Sequence, residues 1–229
     1  VEGVIFGLVL SYVPYIWILI NELRHTRIDF SLLKPRKGFL INNYSINISG
    51  AVGGQVDKLI IAPILGFELL GNYSLAMQFL IILLLLPTIV FKYLLTQDSS
   101  GENTKNLKKI TILASIGLAV FGIVILPMII PVLFPKFIDT TIAIQILSVA
   151  LIPATIGIFY ESKLLALEKS KFPAIAKIIG TIFMIFGFLT LGPIYGIIGL
   201  SVILVVSSCI QSSVVIIASK MIKTEVEKS

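Results

Sequence analysis

Long apolar stretches alternate with short polar segments along almost the whole chain. Seven stretches of about 20 residues reach the length that an α-helix needs to cross a hydrocarbon core of about 30 Å. They are Val4–Ile20, Phe39–Gly66, Tyr73–Leu95, Leu107–Phe134, Ile138–Tyr160, Pro173–Leu191 and Ile194–Ala218. The pattern therefore predicts an all-α, polytopic transmembrane helix bundle of about seven spans.

Prolines fall inside several of these stretches, where they would interrupt a helix of a soluble protein. They are Pro14, Pro63, Pro87, Pro127, Pro131 and Pro153. In a bilayer, neighbouring helices and local backbone adjustments satisfy the groups that a proline frees. A membrane β-barrel would instead show alternating segments of about ten residues. Helices therefore remain the predicted elements.

The positive charges are concentrated in alternate connections between the predicted spans. Apart from Lys58 and Lys136, all of the 18 Lys and Arg residues lie in or next to the connections after the first, third and fifth spans, or in the tail. Short loops rich in Lys and Arg stay on the cytoplasmic side of a membrane. The chain is therefore expected to be a multi-pass plasma-membrane protein with an external N-terminus and a cytoplasmic C-terminus.

The composition and the few reactive side chains exclude several other classes. The chain is 57% hydrophobic and 13% charged, and its net charge of +6 is spread over four short segments. That distribution suits anionic membrane lipids and argues against a nucleic-acid partner. The single cysteine, Cys209, and the single histidine, His25, make a metal site of the Cys/His type unexpected, and no cofactor is predicted. No catalytic cluster is found, so an enzyme is not expected.

The second predicted span, Phe39–Gly66, is polar on one face and apolar on the other. At about 100° per residue its amides, glycines and charges share one face, whereas Ile48 and Leu59 lie opposite. Because polar groups that face hydrocarbon are costly, this polar stripe is expected to line a cavity or a protein interface. Its members are Asn43, Asn47, Gly50, Gly54, Asp57 and Lys58.

Asp57 and Lys58 place two full charges side by side in this span. About 13 Å of helix separates Asp57 from the outer end of the span, which puts the pair near the membrane midplane. Gln78 lies at a similar depth on the next span, and Tyr73 is interpreted as an interfacial anchor. Adjacent helical residues do not face each other. The pair is therefore expected to face water, a partner or a substrate, unless it is a structural pair bridged by Gln78 or Tyr44.

The stretch "VDKLIIAPILGFELLGNYSLAMQ" resembles the seventh-to-eighth helix hairpin of polysaccharide flippases. These belong to the MATE-like superfamily of multidrug, oligosaccharidyl-lipid and polysaccharide exporters. The matching positions are Asp57, Lys58, Leu65, Gly66, Gly71, Tyr73, Ser74 and Ala76. Three later stretches are similar to successive turns of that family, namely Leu133–Ile152, "LLALEKSK" and Gly192–Ser201.

The resemblance implies two six-helix lobes, of which this chain would supply the second. Residues 1–20 would be the last helix of the N-terminal lobe and residues 21–38 the basic cytoplasmic connection. Residues 39–218 would form the C-terminal six-helix lobe and residues 219–229 a cytoplasmic tail. The family's first five helices are not in the sequence. Transport is therefore expected to need the missing N-terminal lobe or a second copy.

The function implied by the resemblance is the flipping of a lipid-diphosphate-linked oligosaccharide across the membrane by alternating access. Lys58 would contact the diphosphate, and Asp57 would balance Lys58 or bind a coupling proton or cation. Amide side chains would hydrogen-bond the sugar, and an aromatic ring would stack on it. The residues assigned to these sugar contacts are Asn43, Asn47, Gln55, Gln78 and Tyr44.

Two other functions fit the same residues. A cation-coupled multidrug antiporter of the same superfamily would couple through Asp57, although Lys58 favours an anionic ligand. A non-transporting membrane scaffold would leave the polar stripe dry against another helix. Elsewhere, Glu161 is interpreted as a solvated charge at a cytoplasmic helix end, and Gln145 and Gln211 as interhelical hydrogen-bond formers.

Overall fold

The computed structural model describes most of the chain. It covers residues 10, 12–21, 36–100 and 104–228, without the side chains of residues 52–54, 56 and 223–228. The start of the first predicted span lies outside the described residues, and so does most of the basic connection. The latter includes Arg24, His25, Arg27 and Lys34. The burial of Gly54 in the polar stripe also lies outside what is described.

All regular elements in the described ranges are α-helices, which confirms the all-α prediction. They are α1 (Tyr12–Asn21), α2 (Lys37–Leu65), α3 (Phe67–Ser99), α4 (Lys105–Val124), α5 (Leu126–Leu133), α6 (Thr140–Val149), α7 (Leu151–Ala166) and α8 (Lys171–Lys228).

Three helices are long and apolar enough to cross a membrane, namely α3, α4 and the part of α8 over Lys171–Ile222. The bent pair α6 and α7 makes a fourth if it is counted as one span. These numbers apply to the described residues and rest on length and composition. They agree with a polytopic membrane protein, whereas the number of about seven spans stays a prediction.

Helix α8 is a hairpin rather than a single rod. Ser207 Oγ donates a 2.9 Å hydrogen bond to the carbonyl oxygen of Gly180, 27 residues earlier in the chain. In a straight helix those residues would be about 40 Å apart. The chain reverses at Gly196, whose φ of 54° and ψ of −133° are not helical. Glycine adopts this positive φ readily because it has no Cβ.

Prolines have different effects in different helices. Helix α3 continues through Pro87. In contrast, the predicted fourth span is broken between α4 and α5, just before Pro127. The predicted fifth span is bent by about 40° between α6 and α7, just before Pro153. A proline in the first turn of a helix forfeits no hydrogen bond, because the first N–H groups have no helical partner. These two prolines therefore lie where a new helix begins.

Backbone contacts divide the chain into two units, Val1–Gly38 and Phe39–Ser229. The first contains α1, whose described side chains are all exposed. The second has a core with two large apolar clusters, to both of which α3 contributes. One consists of Ile61, Tyr73, Met184, Phe188, Leu200 and Ile203, and the other of Leu83, Ala119, Leu126, Ile130, Ile144 and Leu151.

A charged network joins three helices where α3 ends and α4 begins. The Asp98 carboxylate accepts hydrogen bonds from Lys108 Nζ at 3.0 and 3.2 Å. It also accepts one from Thr104 Oγ1 and one from Ser162 Oγ, both at 3.0 Å. Ser162 lies on α7 and is fully buried. The network therefore fixes the adjoining ends of α3 and α4 to α7.

A second polar contact joins the start of α3 to the start of α6. Asn72 Oδ1 accepts hydrogen bonds from the backbone N–H of Thr140 at 3.2 Å and from its hydroxyl at 3.1 Å. The same hydroxyl lies 3.0 Å from the carbonyl oxygen of Asn72. Helix α6 has no capping side chain of its own at Asp139. Asn72 therefore supplies an acceptor for the first N–H of α6, which has no helical partner.

Replacing Thr140 by valine is expected to lower the free energy of unfolding by about 1 to 2 kcal/mol. Valine keeps the shape of the side chain, but the buried oxygens of Asn72 lose a hydroxyl donor. Thr141→Val is the matched control, because that hydroxyl bonds only to the carbonyl oxygen of Ile138 in its own turn. Thermal unfolding in detergent measures both variants. Equal losses for the two would contradict the prediction.

Candidate functional site

Asp57 and Lys58 point in different directions in the structure, as their positions on one helix predict. The Asp57 side chain is buried, with 4% of its surface exposed, whereas Lys58 is exposed. Among the described residues, neither forms an ion pair with a third residue. One charge therefore points into the bundle and the other away from it.

The buried Asp57 carboxylate has few partners. It accepts a 2.7 Å hydrogen bond from the backbone N–H of Lys58. The hydroxyl of Tyr73 lies beside the carboxylate, but the two do not reach the geometry of a hydrogen bond. A carboxylate has about four acceptor positions. Asp57 therefore retains capacity to bind a proton, a cation or water.

Tyr73 is a core residue, and its interpretation as an interfacial anchor is wrong. Its side chain is 1% exposed. Its ring meets Phe188 of α8 edge-on, with the ring centroids 5.9 Å apart and the planes at 86°. A tyrosine near the end of a span has the same sequence pattern whether it faces lipid or protein. Tyr73, rather than Gln78, is therefore the α3 residue that lies next to Asp57.

The other predicted site residues do not converge on the charged pair. Asn47 is exposed, and its Nδ2 donates a 3.1 Å hydrogen bond to the carbonyl oxygen of Asn43 one turn earlier. Tyr44 is 69% exposed, and Gln78 is exposed on α3. Within the described part of the chain, neither Gln78 nor Tyr44 hydrogen-bonds the pair. The structure therefore does not show the bridged pair that the sequence left open.

The two faces of α2 are visible in its C-terminal half. Leu59 is 73% exposed, as predicted, whereas Asp57 and Ile61 are buried where α2 meets α3 and α8. Lys58 and Asn47, which belong to the polar stripe, are exposed. The described part of the stripe is therefore buried mainly around Asp57.

A second polar site, not predicted from the sequence, lies between α3, α7 and both halves of α8. Glu161 Oε2 and Lys177 Nζ are 3.9 Å apart, and their side chains are 15% and 37% exposed. Together they line a cavity of about 190 Å³. The interpretation of Glu161 as a solvated charge is therefore wrong, because the side chain is mostly covered and paired. The signal in the sequence was Lys177, a charge inside the apolar run Pro173–Leu191.

The two glutamines differ in their hydrogen bonds. Gln145 Nε2 on α6 donates a 3.2 Å bond to the carbonyl oxygen of Ile123 on α4, which confirms its interhelical prediction. Gln211 Nε2 donates to Ser207 Oγ at 3.2 Å, one turn away in the same half of α8. The interhelical prediction is therefore wrong for that nitrogen. The side chain of Gln211 instead packs against Gly180 of the other half and lines the cavity.

The fold and its two charged sites define an all-α protein with several apolar helices suited to a membrane. No protein-family model, curated protein or solved structure matches the chain. The resemblance to MATE-like flippases therefore stays a prediction from the sequence motifs. Within the part of the chain that the structure describes, no three Asp, Glu, His or Cys side chains are grouped so as to hold a metal ion.

Proposed function

We propose that the chain is part of a transporter that flips a lipid-diphosphate-linked oligosaccharide across the membrane for polysaccharide or glycan biosynthesis. The observation that carries the proposal is the Asp57–Lys58 pair, whose carboxylate is buried in an apolar bundle while the ammonium is exposed beside it. Charges inside apolar helices are costly, and they are mostly functional. The substrate class comes from the resemblance of this hairpin to MATE-like flippases.

Lys58 is the proposed phosphate contact. Its ammonium is exposed and forms no ion pair among the described residues. A hydrogen bond from an ammonium to a phosphate oxygen is roughly twice as strong as one between neutral groups. Asp57 would balance the ammonium before the substrate binds, or would bind a coupling proton or cation.

The exposed part of α2 is the proposed sugar contact. The Asn43 and Asn47 amides are half-buried and exposed, respectively, and Tyr44 exposes most of its ring. Amides donate and accept hydrogen bonds, which suits sugar hydroxyls. An exposed ring offers an apolar face on which a sugar can stack. Gln78, exposed on α3, would add a contact from a second helix.

Transport is proposed to follow alternating access, in which two lobes rock against each other around a central site. The unit Phe39–Ser229 would act as one lobe. An N-terminal lobe or a second copy of the chain would supply the other. The proposal places about seven spans in the plasma membrane, with the basic connections and the C-terminus on the cytoplasmic side. The lipid tail stays in the bilayer while the headgroup crosses.

Replacing Lys58 by alanine is expected to reduce surface polymer about tenfold or more, which corresponds to about 1.4 kcal/mol. The host lacks its own flippase, and polymer is scored together with the amount of protein in the membrane. Lys58→Arg keeps the charge and should retain most of the polymer. Lys136→Ala removes an exposed lysine between α5 and α6, and it should leave polymer unchanged. Normal polymer with Lys58→Ala would overturn the phosphate role.

The alternative, a cation-coupled multidrug antiporter, is favoured by one observation. Asp57 is buried and has a single firm hydrogen bond, so it is free to bind a proton or cation. In that case Asp57→Asn abolishes drug efflux, whereas Lys58→Ala does not. Growth of expressing cells in the presence of cationic drugs distinguishes the antiporter from the flippase.

A further inference from the structure

The cavity at Glu161 and Lys177 is too small for the proposed transport substrate. Its volume is about 190 Å³. Pockets that hold a drug-sized ligand typically have about 300–1,000 Å³. The cavity therefore suits a small polar group better than a whole oligosaccharide.

The two charged groups in this cavity are incompletely satisfied by the protein. Glu161 Oε2 and Lys177 Nζ are 3.9 Å apart, which is longer than a hydrogen bond. Neither makes a hydrogen bond to another residue in the described part of the chain. An ammonium has three donors and a carboxylate has about four acceptor positions. The cavity thus presents unused donors beside unused acceptors.

Neutral polar groups in the same wall add to this capacity. Gln211 uses its Nε2 to bond Ser207, and its side-chain oxygen accepts no described hydrogen bond. The half-buried Ser208 hydroxyl makes no described hydrogen bond. In contrast, the Ser212 hydroxyl in the same wall donates to the carbonyl oxygen of Pro153. Gln211 and Ser208 therefore have hydrogen-bonding groups available to a ligand in this cavity, whereas Ser212 uses its hydroxyl donor within the protein.

The charged residues in the cavity wall indicate which kind of ligand would bind there. Among the described residues, its wall carries one carboxylate, Glu161, and one ammonium, Lys177, and no other charge. A simple anion would be repelled by Glu161, and a simple cation by Lys177. A ligand that carries both charges, separated by a few atoms, would satisfy both residues.

The position of the cavity along the helices indicates where such a ligand would come from. Glu161 lies five residues before the end of α7, and Lys177 six residues after the start of α8. At 1.5 Å per residue, both lie about 8 to 9 Å from these helix ends. In a spanning bundle, that is close to the level at which the lipid headgroups meet the hydrocarbon core.

We infer that this cavity binds the phosphoethanolamine headgroup of a zwitterionic membrane lipid. The phosphate accepts hydrogen bonds from Lys177 Nζ and the Ser208 hydroxyl. The primary ammonium donates to the Glu161 carboxylate and to the side-chain oxygen of Gln211. Such a lipid would connect α7 to both halves of α8. This site is separate from the Asp57–Lys58 pair, so the inference does not depend on the transported substrate.

Native mass spectrometry of the whole purified chain tests the inference with three short-chain lipids. Phosphatidylethanolamine is expected to bind about tenfold more tightly than phosphatidylcholine, whose quaternary ammonium has no N–H donor, and than anionic phosphatidylglycerol. Free phosphoethanolamine is the fourth probe. If free phosphoethanolamine binds much more weakly than phosphatidylethanolamine, the ligand of the cavity is a lipid. If the two bind equally tightly, the ligand is the soluble headgroup, and the lipid assignment is overturned.

Two substitutions test the assigned contacts. Glu161→Gln is expected to abolish the preference for phosphatidylethanolamine over phosphatidylglycerol, because the carboxylate that pairs with the ammonium is lost. Lys177→Gln is expected to weaken the binding of all three phospholipids about tenfold. The matched controls are Lys171→Gln and Glu68→Gln, which neutralise exposed charges that do not line this cavity. Both controls should keep the wild-type preference.

Equal binding of the three lipids to the wild type would overturn the inference. An unchanged preference in Glu161→Gln would also overturn it, and would leave the ion pair as a structural contact. If Glu161→Gln does not accumulate as folded protein, Ser208→Ala replaces it as a milder variant. Ser208→Ala is expected to weaken the binding of phosphatidylethanolamine about threefold. Unchanged binding in this variant would count against the site.

Discussion

Replacing Asp98 by alanine is expected to lower the free energy of unfolding by about 2 to 4 kcal/mol. The carboxylate is 10% exposed and accepts hydrogen bonds from Lys108, Thr104 and Ser162. Its removal leaves the fully buried Ser162 hydroxyl without its interhelical partner. Lys108 is 25% exposed and can turn toward water, which keeps the loss below that of a fully buried pair. Thermal unfolding in detergent measures the effect.

Two comparisons separate the charge from the hydrogen bonds at this site. Asp98→Asn keeps an acceptor for one hydroxyl, so it should recover part of the loss. A double-mutant cycle of Asp98→Ala with Lys108→Ala isolates the ion pair from the two hydroxyl contacts. Asp139→Ala is the control, because that exposed aspartate caps α6 without a side-chain hydrogen bond. A loss at Asp98 no larger than the loss at Asp139 would show that the network does not hold the helices together.

The sequence was sufficient to predict where the helices run but not where they break. The hairpin of α8 turns at Gly196, close to the boundary predicted between the last two apolar stretches, because a spanning helix has a fixed length in a bilayer. The breaks before Pro127 and Pro153 were not predicted. Pro87 has the same local pattern, yet α3 continues through it. Whether a proline breaks a helix depends on which neighbours satisfy the freed backbone groups, and sequence alone does not show this.

For the candidate sites, helical periodicity predicted directions within a helix but not contacts between helices. It placed Asp57 and Lys58 about 100° apart within one polar stripe and Leu59 on the opposite face. In the structure Asp57 is buried, whereas Lys58 and Leu59 are exposed. It did not show that Tyr73 is the α3 residue beside Asp57. It also missed the Glu161 and Lys177 pair, since two separate helices bring these residues together. Pairing of this kind is a product of tertiary packing.

The largest effect of a glycine substitution is expected at Gly199, in the hairpin of α8. Gly199→Ala is expected to lower the free energy of unfolding by about 1 to 3 kcal/mol, as overpacking does. A Cβ at this position would lie 2.5 Å from the carbonyl oxygen of Leu191 and 3.0 Å from Cβ of Tyr195. The carbonyl belongs to the backbone and cannot rotate away, so the first turns of the hairpin must separate.

The sign of this prediction makes it specific. Within a helix, alanine is normally favoured over glycine by about 1 kcal/mol, so steric conflict must reverse the usual effect. Gly117→Ala in α4 is the matched control, because its Cβ would meet no atom within 4 Å. It should be neutral or stabilising in the same thermal unfolding measurement. Opening the hairpin should also move Gln211 away from Gly180, so only the Gly199 variant should lose affinity for phosphatidylethanolamine. Equal stability of the two variants would contradict the close approach of the two halves of α8.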